Sequence, residues 1–214
     1  VKAATRAQLR KSIPETSVRR KPITVQSNLN RIKTTKKRII AMGASTGGTE
    51  ALKDVLSRLP NNMPGIVIVQ HMPPYFTKPF ADRLNSESAL YIKEAENRDQ
   101  VKEGTAFIAP GGLHMILKQN QFGYYVETRD GPLVHHQKPA VDVLFKSVAS
   151  VAGSEAIGVI LTGMGRDGSA GMLVMKDTGS YNIAQDEASC VIFGMPKEAI
   201  NNDSVHEIVP LHQI

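Results

Sequence analysis

The sequence predicts an α/β fold, a doubly wound three-layer sandwich with a mainly parallel sheet and one antiparallel hairpin. Strands covered on both faces are indicated by three apolar runs without polar alternation, at Arg38–Met42, Gly65–Val69 and Ala156–Leu161. Amphipathic helical patterns follow them, at Thr49–Leu59, Lys78–Leu84, Val141–Val151 and Ser169–Thr178. Strands that alternate with helices favour right-handed crossovers. A short polar stretch joins two further extended segments and predicts the hairpin, at His114–Leu117 and Tyr124–Thr128.

Charge divides the 214-residue chain into two parts. Residues 1–38 carry 12 Lys and Arg and one acid, whereas residues 39–214 carry 14 Lys and Arg and 19 acids. We therefore expect residues 1–37 to be a basic interdomain linker and residues 38–214 to be the folded domain. An arm that binds nucleic acid or a membrane is the alternative for the basic segment, although aromatic residues and an amphipathic stripe are missing from it.

Composition argues against several classes of protein. The single cysteine, Cys190, excludes an internal disulfide and favours a reducing compartment. With no Trp and 5% aromatic residues, stacking platforms for single-stranded nucleic acid are not expected. No apolar run approaches the roughly 18–20 residues of a membrane span. We expect a cytoplasmic protein without a secretory signal, whose chain begins inside a longer gene product.

The first apolar run ends in a glycine-rich turn, Gly43–Gly48, and ligands of open α/β sheets bind beyond such strand ends. A Walker A loop would need Lys and Ser or Thr where Thr49 and Glu50 stand, and a dinucleotide fingerprint would need Gly at Ser45. The turn does match a nucleophile elbow, G-x-S-x-G, with Ser45 as the nucleophile. A helix cap is the alternative role for Ser45.

Two more strand ends carry the groups that a serine nucleophile needs. The second run continues into His71, and the third continues into a glycine-rich turn that contains Asp167. We expect His71 to be the base and Asp167 to orient it, in the chain order Ser, His, Asp, which differs from that of α/β-hydrolases. A structural histidine and a helix cap are the alternatives for these two residues.

A metal site is not expected. His135 and His136 are adjacent, and adjacent residues of a strand point to opposite faces. With one cysteine and no His-x₃-His spacing, zinc is disfavoured. Cys190 is expected to be a buried side chain rather than a nucleophile.

Seven longer motifs resemble the catalytic domain of the bacterial chemotaxis methylesterases, the CheB type. They are Ile39–Glu50, Gln70–Pro74, Ala109–Gly111, Pro139–Phe145, Leu161–Met172, Ala184–Val191 and Gly194–Pro196. The resemblance implies a protein-glutamate methylesterase that also deamidates certain receptor glutamines. It places the triad at Ser45, His71 and Asp167 and an oxyanion-binding backbone N–H at Met164. The N–H of Thr46, at the start of the helix, is the other donor that we expect.

The resemblance also implies partners. Methyl-accepting chemotaxis receptors are the expected substrates, and a receiver domain of the same protein would precede residues 1–37 in a longer chain. No cofactor, no metal, no nucleic acid and only peripheral association with membrane receptors are expected. Two alternatives stay open, a general small-ester hydrolase and a non-catalytic module that binds phosphate at Gly43–Gly48.

Overall fold

A computed structural model describes residues 38–214, and the predicted linker of residues 1–37 lies outside the described residues. The strands of the described part are β1 (Ile39–Ala44), β2 (Gly65–Gln70), β3 (Tyr91–Glu94), β4 (Thr105–Ile108), β5 (His114–Asn120), β6 (Gly123–Arg129), β7 (Ala156–Ile160), β8 (Tyr181–Gln185) and β9 (Glu207–Val209). Seven of them form one sheet in the order β3-β4-β2-β1-β7-β8-β9, and every pairing in it is parallel.

Helices cover both faces of this sheet. They are α1 (Gly48–Arg58), α2 (Thr77–Glu87), α3 (Val141–Ala152), α4 (Ser169–Asp177) and α5 (Met195–Asn201). Alternate residues of β1 enter different cores: Ile40 packs with the apolar faces of α1 and α2, and Ile39 packs with those of α3, α4 and α5. This pattern explains why the central strands read as unbroken apolar runs. The predicted three-layer α/β sandwich is confirmed.

The predicted hairpin is also present, as the separate antiparallel pair β5-β6. Its apolar side chains join the core beneath α3, and the N–H of Leu117 donates to the hydroxyl of Ser147 on that helix at 2.9 Å. The sequence did not predict β3, β4, β8, β9 or α5, which contain three to seven residues each. Within residues 38–214, each helix is too short or too polar to cross a membrane.

Strand order sets the location of the candidate site. Strand β1 lies between β2 and β7, and its last residues pair with theirs, Ala44 with Gln70 and Gly43 with Ile160. The carboxyl ends of the three strands are therefore level. The residues that follow them, including Ser45 and His71, meet at one edge of the sheet.

Candidate active site

Ser45 occupies a tight turn between β1 and α1. Its N–H donates to the carbonyl of Thr162 at 3.0 Å, and its carbonyl accepts from Gly48 at 2.7 Å. The N-cap of α1 is Gly47, which has φ 82° and no side-chain cap. A left-handed conformation of this kind favours glycine. Interpreting Ser45 as a helix cap is therefore wrong, and its hydroxyl is not used in that role.

The turn after β7 packs closely against Ser45. A Cβ atom placed on Gly163 would lie 2.8 Å from the Cβ of Ser45 and 3.1 Å from its backbone nitrogen, and it would also meet the sulfur of Met195. Real Cβ atoms do not approach another carbon as closely as 2.8 Å, so the close approach requires glycine at this position. The glycine-rich turn after β7 thus helps to fix Ser45.

Gln70 joins the serine turn to the end of β2. Its buried side-chain amide donates to the carbonyl of Ser45 at 3.0 Å and to that of His71 at 3.1 Å. The N–H of His71 in turn donates to the carbonyl of Ala44 at 3.1 Å. These bonds fix the backbone of Ser45 relative to that of His71. Sequence reasoning had assigned no role to Gln70.

His71 and Asp167 are in direct contact. Nε2 of His71 lies 2.7 Å from Oδ2 of Asp167, and the side chains are only 6% and 3% exposed. Asp167 also accepts from the backbone N–H groups of Val141 at 2.7 Å and Asp142 at 2.9 Å, at the start of α3. Because the carboxylate accepts all three hydrogens, Nε2 of His71 is the donor, and in the neutral ring Nδ1 carries the lone pair.

That lone pair has no hydrogen-bond partner in the described part of the chain, although Nδ1 is buried. Interpreting His71 as a fully satisfied structural histidine is therefore wrong. Asp167 does cap a helix, but not the helix that the sequence suggested. The helix that it caps is α3, whereas α4, which follows it in the chain, has Gly168 at its N-cap.

Two cavities meet at His71. Ser45, Thr46 and His71 line the first, the serine cavity, with a volume of about 350 Å³. His71 and Asp167 line the second, the aspartate cavity, with a volume of about 250 Å³, together with His135, His136, Gln137, Met164, Gly165 and Arg166. The structure thus brings Ser45 and His71 to one cavity wall without a hydrogen bond between their side chains. Catalytic hydrogen bonds are often long until substrate binds.

The two expected oxyanion positions lie on different cavities. Thr46 is exposed on the serine cavity, and its carbonyl accepts from the hydroxyl of Thr162 at 3.0 Å. Met164 is 74% exposed and lines the aspartate cavity. Their N–H groups as oxyanion donors stay a prediction.

His135 and His136 differ from expectation. They do not lie in a strand, but in a turn closed by the bridge between Val134 and Gln137, with φ 51° and 61°. Both line the aspartate cavity, so the prediction that they point to opposite faces is wrong. Nε2 of His135 lies 2.9 Å from Oδ2 of the buried Asp142. Asp142 was also missed, although an acid in the apolar first turn of α3 is a signal of such a contact.

Cys190 is half-buried near the hydroxyl of Thr162. Burial, opposed by a hydrogen bond with Thr162 and aided by the charges of Asp186 and Glu187, raises the pKa of its thiol to about 11. The thiolate is the reactive form of cysteine. Cys190 is therefore a poor nucleophile at neutral pH, as expected, although its side chain is half-buried rather than buried.

Comparison with known proteins identifies the family. The model of the CheB methylesterase family matches residues 40–214. The chain belongs to the CheB methylesterase family. Its fold is similar to that in the crystal structure of the Thermotoga maritima CheB methylesterase catalytic domain, with a TM-score of 0.81 and 40% identity over 83% of this chain and 95% of that one. The resemblance found in the motifs is thereby confirmed.

Curated relatives carry the name protein-glutamate methylesterase/protein-glutamine glutaminase. Protein-glutamate methylesterase/protein-glutamine glutaminase 2 from Syntrophus aciditrophicus is 59% identical over 180 residues, which are 84% of this chain and 52% of that protein. A relative from Thiobacillus denitrificans is 48% identical over 214 residues, which are all of this chain and 60% of that protein. The chain therefore spans about half the length of the curated relatives it matches.

Proposed function

We propose that the chain hydrolyses γ-methyl esters of glutamate on chemotaxis receptors, releasing methanol, and deamidates specific receptor glutamines. The names of the relatives support both reactions. The observation that carries the proposal is the state of His71. One ring nitrogen donates to a buried carboxylate, and the other has a free lone pair beside the cavity that contains Ser45. A serine hydroxyl needs such a base.

In the first half of the reaction, Nδ1 of His71 takes the proton of Ser45 as Oγ attacks the ester carbonyl. Backbone N–H groups of Thr46 or Met164 bind the oxyanion, which is worth on the order of 10²–10³-fold in rate per donor. Asp167 holds the ring and stabilises the imidazolium that forms. The proton on Nδ1 then passes to the methoxide group, methanol leaves, and a glutamyl ester of Ser45 remains.

In the second half, His71 takes a proton from water, which attacks the glutamyl ester. The new tetrahedral species collapses to a free glutamate side chain, and the proton returns to Oγ of Ser45. Deamidation follows the same steps with ammonia as the leaving group. An amide is less activated than an ester, so deamidation is the slower reaction. The roles of the nitrogens of His71 are reversed relative to the triad of chymotrypsin, where Nε2 is the base.

Partners and location belong to the same proposal. Receptor segments that carry the methylated glutamates are the substrates, and the enzyme meets these membrane receptors from the cytoplasm as a peripheral protein. The full-length protein also contains a receiver domain that contacts this domain. The length of the relatives, about twice that of the matched region, leaves room for a domain of this kind.

The Ser45→Ala variant tests the proposal. We expect methanol release from methylated receptor to fall on the order of 10⁴–10⁶-fold, because removal of a triad serine leaves only oxyanion stabilisation and binding. Ser57→Ala, at an exposed position of α1, is the matched control and should keep the wild-type rate. The measurement is methanol released per enzyme per minute.

The alternatives correspond to other outcomes. If Ser45→Ala releases methanol as fast as the wild type, the proposed site is wrong. If simple esters react as fast as methylated receptor, a general small-ester hydrolase is favoured. If the wild type releases no methanol but binds inorganic phosphate, and Ser45→Ala weakens that binding, a phosphate-binding module is favoured.

A further inference from the structure

A second histidine–aspartate pair lies beside the first. Nε2 of His135 is 2.9 Å from Oδ2 of Asp142, and the two side chains are 29% and 2% exposed. One ring nitrogen of His135 and one carboxylate oxygen each of Asp142 and Asp167 lie within 4.8 Å of one another. The imidazoles of His71, His135 and His136 and the carboxylate of Asp167 line the aspartate cavity, and the buried Asp142 contacts His135. The proposed mechanism uses only one pair, so the other needs a role.

The two carboxylates cap each other's helices. Asp167 precedes α4 but accepts from the first N–H groups of α3, those of Val141 and Asp142. Asp142 lies in the first turn of α3 but accepts, through Oδ1, from Gly168 at 3.1 Å and Gly171 at 2.6 Å, at the start of α4. Each carboxylate is thereby held by the helix that carries the other. The position of Asp167 depends on that of Asp142.

His135 completes this arrangement. Oδ1 of Asp142 accepts from two backbone N–H groups. Among the described residues, His135 is the one that donates a hydrogen bond to Oδ2. Leaving a buried carboxylate oxygen without a donor costs free energy of folding. Here the cost is increased because Asp142 lies close to a second carboxylate, that of Asp167. Without His135, Asp142 would gain by turning Oδ2 toward the aspartate cavity. The hydrogen bonds of Asp142 to Gly168 and Gly171 would then weaken. Because Asp167 directly precedes Gly168 in the chain, the position of Asp167 would then be less well fixed.

We propose that His135 and Asp142 form a positioning pair, which holds Asp167 and through it the ring of His71. The inference rests on the proposed function and adds a requirement to it: the third member of the triad is fixed by a hydrogen bond from outside the triad. His135 acts on the carboxylate network and need not touch the substrate. Its effect therefore falls on the rate of the chemical steps rather than on substrate binding.

Two variants of similar size test the proposal. His135→Gln keeps an N–H donor near the position of Nε2, whereas His135→Leu removes it. His135 has φ 51°, so both replacements carry a similar backbone cost. We expect His135→Leu to lower kcat for methanol release about 10-fold with an unchanged KM, because misplacing a catalytic group by about 1 Å costs up to about 100-fold. His135→Gln should recover most of the loss.

A spectroscopic readout makes the test independent of turnover. The proton on Nε2 of His71 is shared with a carboxylate at 2.7 Å, and such imidazole protons resonate far downfield in proton NMR. We expect this signal to shift or broaden in His135→Leu and to stay in place in His135→Gln. His212→Leu, at an exposed position near the C-terminus, is the control for the loss of a histidine and should match the wild type.

Each outcome decides the question. An unchanged kcat and an unshifted signal in His135→Leu would overturn the positioning role. Equal loss of kcat in both variants with an unshifted signal would also overturn it, because the side chain would then act on the substrate itself. If His135→Leu does not fold, His135→Ala replaces it, because it also removes the donor: a shifted signal in His135→Ala supports the role and an unshifted one opposes it. A wild type that shows the signal but releases no methanol contradicts the proposed function alone.

Discussion

The two histidine–aspartate pairs have similar hydrogen bonds but lie in different surroundings. In both, a buried aspartate caps a neighbouring helix and accepts from a histidine, at 2.7 Å in one pair and 2.9 Å in the other. His71, however, follows a central strand and lies between Asp167 and the serine cavity, whereas His135 lies in a partly exposed turn. A helix terminus fixes a carboxylate in either case. In the proposed function, the neighbouring strand end with Ser45 is what gives one pair a nucleophile to activate.

Matched substitutions of the two aspartates test this difference most strongly. We expect Asp167→Asn to lower kcat about 10⁴-fold, since replacing a triad carboxylate by its amide removes the charge that stabilises the imidazolium and disturbs the tautomer. We expect Asp142→Asn to lower kcat only about 10-fold, because it acts through the position of Asp167. Methanol release at saturating methylated receptor is the measurement.

Stability provides the control for this pair of variants. Both aspartates accept two backbone N–H groups at a helix start, so both variants should lose about 1–2 kcal/mol in the free energy of unfolding. Urea unfolding measures that loss. An Asp142→Asn enzyme as slow as Asp167→Asn would show that the two pairs are not functionally different.

Gln70 allows the other side of His71 to be tested. Its amide donates to the carbonyls of Ser45 and His71, and within residues 38–214 the second histidine pair has no such link to the serine turn. We expect Gln70→Leu to lower kcat about 10-fold, because the serine turn and the base lose their common support. The free energy of unfolding should fall by about 1–3 kcal/mol, because the carbonyls of Ser45 and His71 lose their bonds from the amide nitrogen, whereas the amide oxygen has no partner in the described region to lose.

Gln119→Leu is the matched control, because Gln119 is exposed on the hairpin. It should keep the wild-type kcat. A Gln70→Leu enzyme with full activity would mean that the bonds of the amide do not set the distance between Ser45 and His71.

The sequence predicted what depends on local pattern. Strands β1, β2 and β7 are buried on both faces, so their apolar runs and the residues that end them, Ser45 and His71, could be read directly. Strand β8 could not, because it buries Asn182, whose amide donates to the carbonyls of Met172 and Ser204. A polar residue satisfied by distant partners breaks the pattern of a buried strand.

The pairing of the aspartates was equally inaccessible to the sequence. Asp167 caps a helix that begins 26 residues before it in the chain, and only the packing of α3 against α4 creates that contact. The turn at His135 and His136 requires two consecutive left-handed residues other than glycine. Residues of this kind rarely adopt that conformation, so no local signal predicts it.

Cys190 provides the smallest expected effect, because a protonated thiol does not compete with Ser45 in the proposed reaction. It lies near Thr162, whose hydroxyl donates to the carbonyl of Thr46, so a reactive thiolate there would compete with Ser45. The pKa of its thiol is raised from 9.0 to about 11, mainly by burial, so the thiol stays protonated until the pH approaches 11. At pH 8 the thiolate fraction is then about 100-fold lower than for an unshifted thiol.

We expect iodoacetamide to label Cys190 about 100-fold more slowly than a free cysteine, the labelling rate to rise about tenfold per pH unit, and Cys190→Ser to keep the wild-type kcat. Rapid labelling at pH 8 that abolishes methanol release would contradict this, and it would place a second nucleophile beside the serine turn.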